Sequence, residues 1–210
     1  MTTVTVATAL VNCSPVVIVA VELARGKKVP RLVIAGVVLA LVGVLAVTGV
    51  DAGTSTKALV GDLLSLLGGI VVAFYMLLGE AVQKRTSTGA YTLIAYGTCA
   101  ALLLPAALVT GQQLIGFSAV TWLELGIVTL GAQLLGHTLL NAAIPMVGPT
   151  PVSLTTLLEI PGAGVIAWIW LEQVPSLTII PGTVLMVAGL VLVLAAGRPE
   201  EAPPPDVPVI

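Results

Sequence analysis

Three polar side chains stand four residues apart inside an apolar stretch, and they include the only histidine of the chain. The stretch reads QLLGHTLLN (133–141), and its polar members are Gln133, His137 and Asn141. Four residues turn an α-helix by about 400°, so the three drift by only about 40° per step and share one face. Polar groups are costly in hydrocarbon unless they face protein or water, so we expect this stripe to point inward.

A carboxylate is predicted to reach the same depth as the histidine. Gly148 lies midway between His137 and Glu159. A hairpin that turns there would place both about 16 Å from the turn, near the middle of a roughly 30 Å hydrocarbon core. An acid and an imidazole at that depth can exchange a proton, which indicates a substrate or proton site. Interhelical hydrogen bonding, worth about 0.6–2 kcal/mol per contact, is the alternative interpretation.

Two prolines and an asparagine complete the candidate site. Pro161 follows Glu159 by two residues and has no backbone N–H, so it is expected to free a carbonyl near Leu157 for a polar substrate. Pro15 marks a similar break in an earlier helix, and Asn12 stands three residues before it. The predicted substrate or proton pathway consists of Glu159, His137, Asn141, Gln133 and Asn12, with helix breaks at Pro15 and Pro161.

Other polar and aromatic side chains are interpreted as structural. Glu22 precedes Arg25 by three residues and Glu80 precedes Lys84 by four, as in ion pairs on the surface of one helix. Tyr96 could line a path, but packing of its ring in the helix bundle is the favoured interpretation.

The elements that carry these residues must lie in lipid. Of the 210 residues, 58% are hydrophobic and 9% are charged, whereas a soluble domain has about 25% charged residues. Seven segments are long and apolar enough to cross the bilayer core as helices. They are 3–24, 31–50, 60–82, 90–110, 119–142, 150–173 and 177–197. The sequence therefore predicts an all-α polytopic membrane protein with seven transmembrane helices, embedded in the lipid bilayer.

The basic residues predict the orientation of the chain. If the spans alternate, seven of the eight basic residues fall on one side: four in ARGKKVPR (24–31), then Lys84, Arg85 and Arg198. Only Lys57 falls on the other side. The positive-inside rule then predicts a multi-pass protein of the inner (plasma) membrane, with the N-terminus of this chain outside and the C-terminus in the cytoplasm.

Several classes of function are excluded by what the sequence lacks. GAGVIA (162–167) matches a Gly-x-Gly-x-x-Ala pattern but follows no strand, and no Walker loop is present, so neither a dinucleotide nor ATP is expected to bind. A single histidine leaves no catalytic triad or metal-ligand spacing, so we expect no enzyme, cofactor or metal. A net charge of −2 gives no nucleic-acid partner.

An internal repeat appears when the sequence is shifted by 146 residues. GVVLALVGVLAV (36–47) then lies over GTVLMVAGLVLV (182–193) without a gap, and Pro15 lies over Pro161. The first span maps onto the sixth, five helices later, so the two copies would face opposite ways. Inverted repeats are typical of secondary transporters, whose substrate site lies near the midplane between the copies.

Two groups of segments carry a resemblance to a known family. GDLLSLLGGIVVAFYMLLGEAVQKR (61–85), QLLGHTLLNAAIPMVGPTPVSLTTLLEIPGAGVIAWIWLEQVP (133–175) and the glycine-spaced closing helix look like the second half of an EamA-type transporter of the drug/metabolite transporter superfamily. TVATALVNCSPVVIVAV (5–21) and the next helix look like the end of its first half. The resemblance implies a bundle of two inverted five-helix repeats that exports small-molecule substrates, such as amino acids or drugs.

The resemblance also predicts how the chain is divided. Residues 1–50 would be the last two helices of the first repeat, 51–59 an outer loop, 60–197 the complete second repeat and 198–210 a disordered Pro-rich tail. Three helices of a 5+5 bundle are then missing. The expected function is proton-coupled export by alternating access. The alternative is a non-transporting fragment or membrane partner that needs another chain, such as a second copy in a homodimer, to complete the bundle.

Overall fold

The computed structural model describes residues 10–48, 56–172, 177 and 179–197, and these residues form helices joined by short turns. The helices are α1 (Ser14–Ala24), α2 (Arg31–Thr48), α3 (Thr56–Gln83), α4 (Thr88–Val109), α5 (Ala119–Val147), α6 (Pro149–Thr156), α7 (Glu159–Leu171) and α8 (Ile179–Ala196). Most of the predicted loop 51–59, the tail 198–210 and the start of the first span lie outside the described residues.

Four of these helices are long and apolar enough to cross a membrane. They are Leu59–Gln83, Thr88–Val109, Ala119–Val147 and Ile179–Ala196, and α1 and α2 are shorter apolar helices. The predicted sixth span is divided between α6 and α7. By length and composition, the described part of the chain is therefore that of a multi-pass, all-helical membrane protein.

Local sequence signals set where several helices begin. The side-chain oxygen of Ser87 accepts a hydrogen bond from the backbone N–H of Ala90 at 3.2 Å and caps α4. Ser118 caps α5 in the same way, through the N–H of Thr121 at 3.1 Å. A serine at this position satisfies one of the N–H groups that the first turn of a helix leaves unpaired. The polar breaks in the sequence thus become the ends of helices.

The chain folds into two compact units, which are described separately. One comprises Met1–Leu77 and Val147–Ile210, and the other comprises Leu78–Met146. The hydrophobic core of the first unit draws on α1, α2, α6 and α8 and on the turn after α6. Its buried members are Val19, Val33, Val37, Ala40, Val44, Leu154, Leu157, Met186 and Val193.

Glycines bring α2 and α8 into backbone contact within the first unit. A β-carbon built on Gly36 would lie 2.6 Å from the carbonyl oxygen of Gly189, and one built on Gly43 would lie 2.6 Å from that of Gly182. These distances leave no room for any side chain at either crossing. In lipid, where apolar burial between helices gives little driving force, such close backbone packing is a main source of helix association. We call this contact the glycine seam.

The contacts of the glycine seam exchange when the sequence is shifted by 146 residues. Gly36 corresponds to Gly182 and Gly43 to Gly189, so the contact of Gly36 with Gly189 becomes that of Gly182 with Gly43. The side-chain contacts exchange as well. The β-carbon of Gly36 would meet the side chain of Val193, and that of Gly182 would meet Val47, which is the equivalent residue.

The same shift relates two further backbone features. Residues 12 and 13 form a turn just before α1 and its Pro15, and residues 157 and 158 form a turn just before α7 and its Pro161. After these helices the backbone turns left-handed, at Gly26 with φ of 77° and at Glu172 with φ of 55°. The two turns are offset by one residue under this shift, and Gly26 is equivalent to Glu172.

Alanine at Gly43 is expected to destabilise the protein because its β-carbon would press on the carbonyl of Gly182 and the backbone of Met186. Overpacking of this kind costs about 1–3 kcal/mol. Gly97 on α4 is the matched control, because a β-carbon there meets nothing within 4 Å. Thermal unfolding in detergent should show a lower midpoint for Gly43→Ala and no loss for Gly97→Ala. Equal midpoints would contradict the glycine seam.

Glycine at Glu172 is expected to stabilise the protein. A non-glycine residue in the left-handed region costs about 1–2 kcal/mol, and Glu172 has φ of 55°. Glu172→Gly removes this cost, whereas Glu172→Ala removes the same carboxylate and keeps the strain. The free energy of unfolding should rise only for the glycine variant, and a rise of equal size in both variants would assign the effect to the charge.

Candidate functional site

The break between α6 and α7 places Glu159 at the start of a helix. Leu157 and Leu158 leave the regular helical path, and α7 begins at Glu159, whose side chain is exposed. Pro161 lies in the first turn of α7, where the lack of a backbone N–H is tolerated. Proline and the break thus act together to end one helix and start the next beside a carboxylate.

The carbonyl of Leu157 has a partner, which differs from the expectation from sequence. The backbone N–H of Ile160 donates to it at 3.2 Å, and the N–H of Gly162 donates to the carbonyl of Leu158 at 3.1 Å. The chain tightens into a shorter turn at the break, and this turn supplies the donor that Pro161 lacks. The carboxylate of Glu159, and not the Leu157 carbonyl, is the stronger candidate for binding a substrate or proton.

An apolar groove lies beside this break. It has a volume of about 530 Å³. Pro161 and Gly162 contribute to one wall, and the first turns of α8 form the other. The full lining is Leu158, Pro161, Gly162, Val165, Ile179, Ile180, Thr183, Val184 and Val187. Only Thr183 brings a polar side chain, so the groove could hold apolar but not strongly polar parts of a ligand.

The predicted polar stripe lies in the second unit, partly in π-helical backbone. Within α5, residues Thr129–His137 form a π-helix, so Gln133 and His137 lie in it and Asn141 follows it. The side chains of Gln133 and His137 are exposed, and Asn141 is 2% exposed. A π-helix has hydrogen bonds to the fifth residue and occurs frequently at functional sites. The α-helical spacing assumed for the stripe therefore applies only from His137 onward.

Two neighbouring helices hold this region of α5. The side chain of Gln83, at the end of α3, donates to the backbone carbonyl of Asn141 at 3.1 Å. The hydroxyl of Tyr96 on α4 lies 3.5 Å from the carbonyl of Gln133 and 3.4 Å from the hydroxyl of Thr138. The sequence favoured packing of the Tyr96 ring over a place along a path. The hydroxyl of Tyr96 contacts the middle of the π-helix and the residue after its end.

The break in the first copy is packed against α3. Asn12 lies in the turn before α1, and Pro15 is buried in its first turn. A β-carbon on Gly69 would lie 2.6 Å from the carbonyl of Val11 and 2.7 Å from the sulfur of Cys13. Only glycine allows α3 to approach this turn so closely.

The candidate residues therefore fall into two groups. Asn12, Pro15, Glu159 and Pro161 belong to the first unit. Gln133, His137 and Asn141 belong to the second unit. The matched depth of His137 and Glu159 stays a prediction. In the parts of the chain that the structure describes, no three His, Cys, Asp or Glu side chains are grouped so that they could hold a metal ion.

The most deeply buried carboxylate lies outside the predicted pathway. Glu22 is 2% exposed, and it is the only buried acid among the described residues. Its partners are the ammonium of Lys27 at 3.3 Å and the hydroxyl of Thr150 at 3.3 Å. The sequence had indicated an exposed pair with Arg25. The signal that could have found the true partner is Gly26, which ends α1 and turns Lys27 back over the helix.

The described residues form an all-helical fold with several apolar helices long enough to cross a membrane, which defines a multi-pass membrane protein. Residues 59–195 match the EamA-like transporter family, and the chain belongs to that family. An uncharacterized transporter of Archaeoglobus fulgidus is 27% identical over 199 residues, which are 92% of this chain and 68% of the relative. No solved structure matches the chain.

Removal of the Tyr96 hydroxyl is expected to loosen the π-helix. Tyr96→Phe deletes the contacts with Gln133 and Thr138 and keeps the ring, and hydrogen bonds of this kind contribute about 0.6 kcal/mol in membrane proteins. Hydrogen–deuterium exchange should rise in peptides covering Thr129–His137. Tyr91→Phe on the same helix is the control. Unchanged exchange at 129–137, or an equal rise in both variants, would contradict the role of the hydroxyl.

Proposed function

We propose that this chain forms the substrate-carrying part of a proton-coupled secondary transporter, which exports small metabolites such as amino acids or drugs by alternating access. The observation that carries the proposal is Glu159, which stands at a helix break inside the region that matches the transporter family. Ionisable residues within membrane segments are costly and mark substrate or proton pathways. Broken helices are where transporters of this kind bind substrates and coupling ions.

The place of Glu159 in the fold supports a coupling role. A carboxylate exposed at the start of α7 is accessible to a proton or to the cationic group of a substrate, but not to both at once. The apolar groove beside it, next to Pro161 and Gly162, can hold the apolar part of the same substrate. In a protein that alternates its access, competition between proton and substrate for one carboxylate would exchange one for the other across the membrane.

Inverted repeats are the architecture that we propose for this bundle. The glycine seam supports this view, because its contacts exchange under a shift of 146 residues. The paired breaks before Pro15 and Pro161 support it independently, as do the left-handed residues Gly26 and Glu172. The pseudo-twofold axis would pass through the seam midway between its two crossings, near Ala40 and Met186, which are themselves equivalent.

Seven alternating spans are proposed, with the N-terminus of the described chain outside and the C-terminus in the cytoplasm. Two contacts support the alternation. Glu22 at the end of α1 meets Thr150 at the start of α6, and Gln83 at the end of α3 meets Asn141 near the end of α5. Each contact joins chain ends that alternation would place on the basic, cytoplasmic side.

Replacement of Glu159 by glutamine is expected to abolish substrate-driven proton movement. Proteoliposomes that contain the chain and an internal pH dye would be mixed with a panel of common amino acids, and proton flux would be recorded. Flux with at least one amino acid is expected for the parent protein and none for Glu159→Gln, because glutamine keeps the shape but cannot release a proton. Glu124→Gln, at an exposed carboxylate on α5, is the control and should keep the flux.

The outcomes separate the proposal from its alternative. Flux that persists in Glu159→Gln would show that this carboxylate does not couple transport. A parent protein that moves no proton with any substrate would instead favour the non-transporting membrane partner.

A further inference from the structure

Glu22 is a buried acid that does not belong to the proposed pathway. Its carboxylate is 2% exposed, Thr150 is 2% exposed and Ser153 is fully buried. We propose that Glu22, Lys27 and Thr150 form a latch, which holds α1 against the start of α6 in one state of the transporter and opens in the other. This inference rests on the proposed function, because only alternating access requires the two helices to separate.

The local fold of α1 creates the first half of the latch. The N–H of Gly26 donates to the carbonyl of Leu23, and the N–H of Lys27 donates to the carbonyl of Glu22 at 3.0 Å. This pair of bonds, with φ of 77° at Gly26, is a Schellman cap. The cap turns the chain back on itself, so that the ammonium of Lys27 lies 3.3 Å from the carboxylate of Glu22.

The start of α6 creates the second half. Gly148 has φ of 91° and Pro149 opens the helix, which turns Thr150 toward α1. The Thr150 hydroxyl donates to the second carboxylate oxygen of Glu22 at 3.3 Å. Ser153, one turn later, donates to the backbone carbonyl of Thr150 at 2.8 Å.

The balance of charge makes this contact one that can open. A buried carboxylate must be compensated, and Lys27 supplies the only ion pair of Glu22 in the described chain. Both contacts are 3.3 Å long, which is longer than the roughly 2.7–2.9 Å of a strong charge-assisted hydrogen bond. Lys27 is 21% exposed and lies in a connection, so it can turn to water without crossing the hydrocarbon core.

The position of the latch is what links it to transport. In the proposed repeats, α1 belongs to the first copy and α6 to the second, and the turn at residues 157 and 158 separates α6 from α7. Movement of one copy against the other would therefore part Glu22 from Thr150. Opening would expose the start of α6 on the side that carries the basic connection 25–31.

Cysteine labelling tests the latch without any transport measurement. The full chain would carry Cys13→Ser and Cys99→Ser, with Ser153→Cys as the single reporter. A membrane-impermeant maleimide would be added to either side of reconstituted vesicles. With Glu22 intact, labelling should be slow. With Glu22→Gln or Thr150→Val, labelling from the side of the basic connection should rise about tenfold, as expected for a population shift toward an open state.

Two controls distinguish a latch from a static brace. Val44→Cys, at a core position on α2 that is 1% exposed, should stay unlabelled in the Glu22→Gln background, because a latch opens locally. Labelling of both reporters would mean that Glu22 supports the whole unit, and this result would overturn the latch. Glu80→Gln, at another acid that precedes a basic connection, should leave the Ser153→Cys rate unchanged.

Failure of the latch and failure of the proposed function give different results. An unchanged Ser153→Cys rate in both Glu22→Gln and Thr150→Val overturns the latch, even where Glu159→Gln abolishes proton flux. A local rise in labelling with no flux in the parent protein would retain a movable contact and reject coupled transport. The double variant Glu22→Lys with Lys27→Glu exchanges the two charges, and its Ser153→Cys reporter should be labelled nearly as slowly as with Glu22 intact.

Discussion

Close backbone contact along the glycine seam is the constraint on which the rest of the first unit depends. Helices in lipid gain little from burying apolar side chains against each other, so their association depends on how closely they can pack. Gly36, Gly43, Gly182 and Gly189 remove the side chains at both crossings of α2 and α8. The core then forms around this pair, with α1 and α6 contributing Val19 and Leu154.

Two carboxylates of the first unit lie in different environments. Glu22 is buried and compensated by a lysine and a hydroxyl, which is how a membrane protein retains a charge that has a fixed partner. Glu159 is exposed at a helix break beside an apolar groove, which leaves its carboxylate available to a ligand that binds reversibly. This contrast supports a contact between helices for the first acid and the proposed ligand role for the second.

The sequence predicted the all-helical class and the four long apolar helices, because apolar length and polar breaks determine where a chain can cross lipid. The prolines at the two breaks and the paired glycines could also be read from residue type and spacing, whereas the count of seven spans stays a prediction. The π-helix at Thr129–His137 could not, because periodicity was read with α-helical geometry. The partner of Glu22 was also missed, since a spacing of three to Arg25 fits a regular helix and Gly26 ends that helix.

The π-helix also affects how the chain length can vary. A hydrogen-bonded turn of a π-helix, which runs to the fifth residue, contains one residue more than a turn of an α-helix. The π-helix Thr129–His137 therefore accommodates an additional residue within a membrane span. A single-residue deletion elsewhere in a span would rotate the following face by about 100° and turn its buried residues toward lipid. Within this segment, the same deletion could be absorbed by a return to α-helical bonding. Relatives that differ in length inside their spans are therefore expected to do so here, between the two glycines Gly131 and Gly136.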